Sequence, residues 1–154
     1  MQLSDLQHLM QQLGPSMPEI STILQEDIDG WQVVFDEEVS IHIGWQMQPS
    51  RVVVSCTLGQ PDNEDREQLY RLLLEANRLM TGTLSAKLAV APPDDQIMLI
   101  GEYELVSASL PELQQDLSGF VQLAAGLAVM VSRPVQEALH TLDPSALDLY
   151  EGRV

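Results

Sequence analysis

The apolar positions near the start of the chain follow a helical period. Leucines and a methionine recur three and four positions apart over residues 3–13, and a Gly-Pro pair ends the run. This spacing predicts a short amphipathic helix with Leu3, Leu6 and Met10 on one face.

Three segments that follow have the composition and the alternation of β-strands. They are residues 31–36, 38–45 and 51–58, which are rich in β-branched and aromatic side chains. Polar turns separate them, so an antiparallel meander is the economical topology. Residues 20–24 fit an extra short strand or a turn of helix, and the pattern leaves that choice open.

Residues 64–79 return to the helical period, with two adjacent stripes instead of one. The first stripe is Leu69, Leu72, Leu73, Ala76 and Leu79, and the second is Tyr70, Leu74 and Asn77. One stripe is enough to dock a helix on a sheet, so the second indicates that this helix also contacts something else. Asp62 and Asn63 precede it as candidate capping residues.

The rest of the chain predicts a hairpin and a long helix. Alternation favours strands over 83–91 and 97–105, and a three-four spacing favours a helix over 109–131. Ser109 and Glu112 have the spacing of a capping box at the start of that helix.

The predicted order is helix, three strands, helix, two strands, helix. It defines an α+β fold on an antiparallel twisted sheet of about five strands, in one domain over residues 1–132. The remaining segment, 133–154, is a C-terminal tail with weak periodicity that is long enough for a short helix.

The charge balance narrows the choice of partners. The 154 residues include 23 acidic and 7 basic side chains, for a formal net charge of −16. Such a surface repels phosphate backbones and anionic lipids, so we expect neither nucleic-acid nor membrane binding. No segment has the ~20 apolar residues of a membrane span, and the N-terminus lacks a secretory signal pattern. We therefore expect a cytoplasmic protein. The acidity need not reflect a particular partner, since many soluble proteins are acidic for no specific reason.

Candidate catalytic groups are sparse. His8, His42 and His140 are far apart and lack zinc-site spacing. Cys56 lies in an apolar run, which indicates a buried small residue more than a nucleophile. Residues 26–30 resemble the start of a calcium loop but lack its remaining ligands, so a β-turn is the better interpretation. We therefore predict no catalytic residue, no metal and no cofactor, and no enzymatic activity.

The order of elements, together with residues 72–90 (LLLEANRLMTGTLSAKLAV), resembles the class I type III secretion chaperones of the Tir-chaperone family. These are small acidic cytosolic homodimers. Their leucine-rich helix ends in an LL..N signature, here Leu72 to Leu74 followed by Asn77, and a strand hairpin and a long closing helix come after it. Prolines in the hairpin turn and the additional tail depart from the family pattern.

This resemblance implies a function. Family members bind the N-terminal chaperone-binding region of an effector or translocator in extended form, and keep it soluble, partly unfolded and secretion-competent without hydrolysing ATP. Partner residues enter apolar grooves and add strands to sheet edges. Seven residues are candidates for effector binding, with the core as the alternative: Leu3, Leu6, Met10, Val33, Phe35, Ile41 and Ile43.

The resemblance also implies a homodimer in which the helix over 64–79 faces its twin. The candidate interface residues are Tyr70, Leu73, Leu74, Asn77, Leu84 and Leu88. Asn77 is then expected to bond near the chain reversal. The tail has three possible roles: recruiting the secretion ATPase, shielding a groove, or neither.

Two other functions compete with this interpretation. One is an acidic accessory module of an export or assembly system that binds a folded partner. The other is a ligand-binding or enzymatic domain, for which no residues nominate a site.

Overall fold

The computed structural model describes residues 2–36, 38–61, 64–80, 85–103 and 109–133. Nine helices and strands follow one another within these ranges: α1 (Leu3–Ser16), β1 (Ile20–Asp27), β2 (Gly30–Phe35), β3 (Val39–Met47), β4 (Ser50–Gly59), α2 (Arg66–Leu79), β5 (Lys87–Ala91), β6 (Gln96–Tyr103) and α3 (Leu110–Ser132).

The strands form one antiparallel sheet in the order β1-β2-β3-β4-β6-β5. The first four make a meander. The chain then passes through α2 to the far edge, where β5 lies, and β6 returns between β5 and β4. The predicted α+β class is confirmed.

The sheet has six strands where the sequence predicts about five, because the segment for which the sequence left two choices is the edge strand β1. Its side chains are mostly exposed, and its pairing with β2 is irregular between Ile20 and Thr22 and between Gln25 and Asp27. An exposed, bulged edge strand has no buried face to impose an alternating pattern.

One face of the sheet forms the core. A row of mutually paired residues, one from each strand, crosses this face under α1 and α3: Ile23, Val33, Ile41, Cys56, Leu99 and Leu88. Leu117 and Phe120 of α3 are fully buried in the same cluster. None of the described residues with a polar or charged side chain is buried.

The capping box predicted for the last helix is present. The backbone N–H of Ser109 donates to the Glu112 carboxylate at 2.9 Å, and the N–H of Glu112 donates to Ser109 Oγ at 3.5 Å. These bonds favour the charged carboxylate and lower the pKa of Glu112. The box orients the start of α3, which then runs across the sheet.

Several helices and strands begin or end at residues other than those that the sequence predicts. The N-cap of α2 is Asp65, whose side chain makes no capping bond, while Asp62 and Asn63 lie outside the described residues. Strand β5 begins at Lys87 instead of residue 83, after Ser85 with its positive φ of 46°. The tail beyond Arg133 also lies outside the described residues, so the predicted division at 132/133 stays a prediction.

Candidate functional site

The residues predicted to contact an effector lie almost entirely in the core. Leu3 is partly buried and packs against the core cluster, while the other six expose 4% of their surface or less: Leu6, Met10, Val33, Phe35, Ile41 and Ile43. The core, which the sequence left open as their alternative role, is therefore where the structure places these six. A contact between any of the seven and a partner stays a prediction.

The predicted dimer residues, in contrast, lie together. A groove of about 290 Å³ between α2 and β5 is lined by Tyr70, Leu73, Leu74, Asn77, Leu88, Ala89 and Val90. Five of the six predicted residues are in this set, and the sixth, Leu84, lies outside the described residues. Leu74 is 69% exposed and Val90 45%, so the groove presents apolar surface to its surroundings.

Asn77 fixes the geometry of this groove. Its side-chain amide donates to the carbonyl oxygen of Leu88 at 3.1 Å, and its Oδ1 accepts from the Leu88 N–H at 2.6 Å. The side chain thus pairs with β5 as a neighbouring strand would, on the side away from β6. These two bonds fix α2 against β5 and close that edge of the sheet at Leu88.

The outer face of α2 extends the groove. Tyr70 and Leu74 also line a shallow depression of about 480 Å³ together with Glu67, Arg71, Glu75 and Arg78. Four of the chain's seven basic residues lie on α2 or β5: Arg66, Arg71, Arg78 and Lys87. This surface therefore carries both signs of charge around an exposed leucine, unlike the strongly acidic chain as a whole.

The opposite edge of the sheet is open. Beyond β1 the described residues contain no further strand, so the backbone groups that point outward from β1 have no ladder partner. Leu24 on this strand is 53% exposed, and Ile28 in the following turn is 71% exposed. An open sheet edge with apolar side chains beside it is suited to strand addition.

Helix α1 forms a groove along this open edge. The groove has a volume of about 370 Å³ and is lined by Met10, Gln11, Gly14, Pro15, Ile20, Ser21, Thr22 and Ile23. A Cβ atom on Gly14 would lie 3.3 Å from Ile23 Cδ1, so glycine permits the close approach of α1 to β1. Gln7 Nε2 donates to the Ile28 carbonyl at 3.1 Å and fixes the other end of the helix.

Of the seven residues predicted to contact an effector, Met10 is the one that lines this second surface, and its β1 side was missed because β1 was not assigned as a strand. The available signal was the segment 20–29 itself, in which isoleucines and a leucine sit among serine, threonine, glutamine and acidic residues. Such a mixture is typical of an edge strand, where charged side chains limit unwanted pairing.

The remaining candidate groups do not assemble into a catalytic centre. His8 and His42 lie on separate elements, and His140 is outside the described residues. Burial raises the pKa of the Cys56 thiol, which disfavours the nucleophilic thiolate. No group of three or more potential metal ligands occurs within the described part of the chain. In the same part, every helix is too short or too polar to cross a bilayer.

Comparison with known proteins assigns the family. The sequence profile of the Tir chaperone protein (CesT) family matches residues 6–128. The chain therefore belongs to the Tir chaperone protein (CesT) family, and its assignment to the type III secretion chaperones is confirmed. No curated protein matches the chain by sequence.

Solved structures share the fold at low sequence identity. A chain in the crystal structure of the ExsC-ExsE complex is similar with a TM-score of 0.63 and 12% identity, over 84% of this chain and 95% of that one. A chain in the structure of the HopA1-SchA chaperone-effector complex has a TM-score of 0.61 and 15% identity, over 82% and 96%. At these identities the likeness supports the fold only.

Proposed function

We propose that this chaperone acts in the cytoplasm, without catalysing a reaction, on the N-terminal chaperone-binding region of a secreted effector or translocator. The bound region stays extended, soluble, partly unfolded and secretion-competent. The observation that carries this proposal is the open β1 edge beside the α1 groove, in a chain whose family is established by residues 6–128.

The two sheet edges have different roles in this proposal. At β5, Asn77 occupies the outward N–H and C=O of Leu88, and α2 lies alongside. At β1, the exposed Leu24 and Ile28 flank backbone that has no partner strand among the described residues. A client strand therefore adds to β1, where its backbone completes the ladder and its apolar side chains enter the α1 groove.

The closed edge has the features of a homodimer interface. An antiparallel pair of α2 helices about a two-fold axis would bring Leu74 of both copies together. The acidic and basic side chains that surround Leu74 on this face, Glu67, Arg71, Glu75 and Arg78, would then lie in the same interface in both copies. Leu74→Asp is expected to give monomers or aggregate, and an unaltered dimer would place the interface elsewhere.

The client-binding proposal is tested by capture from the native cytosol. The tagged full chain is recovered, bound proteins are digested lightly, and the protected fragments are identified by mass spectrometry. We expect protection of an N-terminal stretch of a secreted protein. Leu24→Asp is expected to abolish that protection, while Val129→Asp, on the 41%-exposed residue of α3, preserves it.

Two results would contradict the proposal. Recovery of intact folded partners without a protected N-terminal fragment would favour an accessory module that binds folded surfaces. Equal protection with Leu24→Asp and with the unaltered chain would show that the client does not bind along β1.

A further inference from the structure

The sheet edge at β1 has a charge pattern that the uncharged lining of its groove, part apolar and part polar, does not explain. The first fifty residues, which supply α1 and β1 to β3, contain eight acidic side chains and no lysine or arginine. By contrast, α2 and β5 carry basic side chains as well as acidic ones. The acidity of the protein is therefore unevenly distributed, and the open edge lies in its most acidic part.

These acids lie at both ends of the open strand. At the start of β1, the backbone N–H of Asp36 donates to the carbonyl oxygen of Glu19 at 2.9 Å, so the two residues are neighbours. At the other end, Glu26, Asp27 and Asp29 are exposed. Between the two ends lie the exposed Leu24 and the uncharged α1 groove, whose lining includes both apolar and polar side chains.

We infer that the client segment that binds along β1 is cationic, with lysine or arginine at the positions flanking its apolar residues. This inference rests on the proposed function and names the chemistry of the partner. Apolar side chains of the segment enter the α1 groove, and its basic side chains meet the acids at the two ends of the strand. Complementary charge of this kind raises association rates and disfavours wrong partners.

The same charges exclude other occupants of the edge. A second copy of the chain paired through β1 would place Glu26 and Asp27 against like charges, which opposes edge-to-edge assembly. Anionic lipids and nucleic acids are repelled for the same reason. Among the groups facing this end, His42 Nε2 lies 3.4 Å from Glu26, and no lysine or arginine comes from α1 or from β1 to β3.

The test uses three fluorescent peptides of about ten residues. All three have valine at alternate positions. At the intervening positions near both ends, the first peptide has lysine, the second has serine and the third has glutamate. Binding to the full-length protein is measured by fluorescence anisotropy and stopped flow. We expect the lysine peptide to bind most tightly, the serine peptide less tightly and the glutamate peptide most weakly. The association rate of the lysine peptide should fall steeply as the salt concentration rises.

A pair of matched variants separates local charge from net charge. Glu26→Gln with Asp27→Asn neutralises the end of β1, and Glu64→Gln with Asp94→Asn removes two exposed acids near α2 and the hairpin turn. We expect the β1 variant to slow association of the lysine peptide roughly threefold for each charge removed, the scale of an exposed charge pair. The control variant should change the rate less than twofold.

The outcomes distinguish this inference from the proposed function. If the lysine and serine peptides bind equally, or if both variants slow association equally, the cationic client is wrong while strand addition at β1 stands. If none of the peptides binds, strand addition at β1 fails and the inference fails with it.

Discussion

Leu74→Ala is the substitution that tests the proposed homodimer most clearly, because it can affect self-association without affecting folding. Leu74 lies on α2, exposes 69% of its surface, and lines both the α2–β5 groove and the depression on the outer face of the helix. Truncating an exposed side chain changes the free energy of unfolding of a monomer by only about 0.5 kcal/mol. A large effect of this change on self-association therefore reports the interface.

The expected change in the dimer dissociation constant follows from the exposed fraction of Leu74. Burying a whole leucine side chain stabilises by about 1.5–3 kcal/mol, so covering the 69% that Leu74 exposes is worth about 1–2 kcal/mol per copy. A two-fold interface contains two such leucines, which gives about 2–4 kcal/mol for the dimer. At about 1.4 kcal/mol per tenfold, the dissociation constant rises roughly 30- to 700-fold, less any contact that the alanine methyl retains.

The assay is sedimentation velocity over a wide concentration range, with denaturation of the diluted protein as a check on folding. Leu24→Ala is the matched control, because Leu24 is 53% exposed at the opposite edge of the sheet. A dissociation constant that Leu74→Ala leaves unchanged would show that Leu74 lies outside any dimer interface. An equal increase with Leu24→Ala would show that the effect is not specific to the α2 face.

Three further predictions concern Asn77 in the α2–β5 groove and two residues of the sheet, Ile43 and Tyr103. Asn77→Ala removes both bonds to Leu88 and is expected to lower the free energy of unfolding by about 1–3 kcal/mol in urea titrations, while Glu75→Ala on the same helix should have little effect. Ile43→Ala, at a fully buried core position, is expected to cost about 2–5 kcal/mol, and near-native stability would mean that Ile43 belongs to a surface and not to the core. Tyr103→Phe addresses pH: burial, and then the hydrogen bond to Asp116, raise the pKa of Tyr103 in the fold. The neutral phenol therefore stabilises the protein fully below the unfolded pKa of ~10, and this stabilisation is lost as the pH rises further. The midpoint temperature of thermal unfolding should accordingly fall more steeply above pH ~10 for the unaltered chain than for the variant. Parallel curves of midpoint temperature against pH would contradict this role of Tyr103.

The elements that the sequence predicts well are those whose signals are local. The last helix has an apolar spacing sustained from Leu110 to Val131 and a capping box at Ser109, and both features act within a few residues. Strand β1 lacks such a signal, because its exposed face and its bulges leave only scattered apolar residues. Its position at the sheet edge is a property of the assembled fold.

The predicted dimer residues and the predicted effector residues differ in the same way, because only the first set has a local signal. The second stripe of α2, with Tyr70 and Leu74, is left over once the first stripe is packed, so periodicity alone indicates a further contact surface. The effector set was chosen by apolar alternation, which cannot separate a core position from a groove position. Ile41 and Ile43 are buried because α3 packs over β3, a long-range contact that alternation within one strand does not encode.

In the proposed complex, a client strand adds to β1 while β5 stays closed. Hydrogen–deuterium exchange of the full-length protein, with and without its captured client fragment, tests it most directly. We expect the backbone amides of Ser21 to Asp27 to gain protection on binding, and those of Lys87 to Ala91 to stay unchanged. Protection that appears at β5 and not at β1 would show that the client binds at the opposite edge of the sheet, and would overturn strand addition at β1.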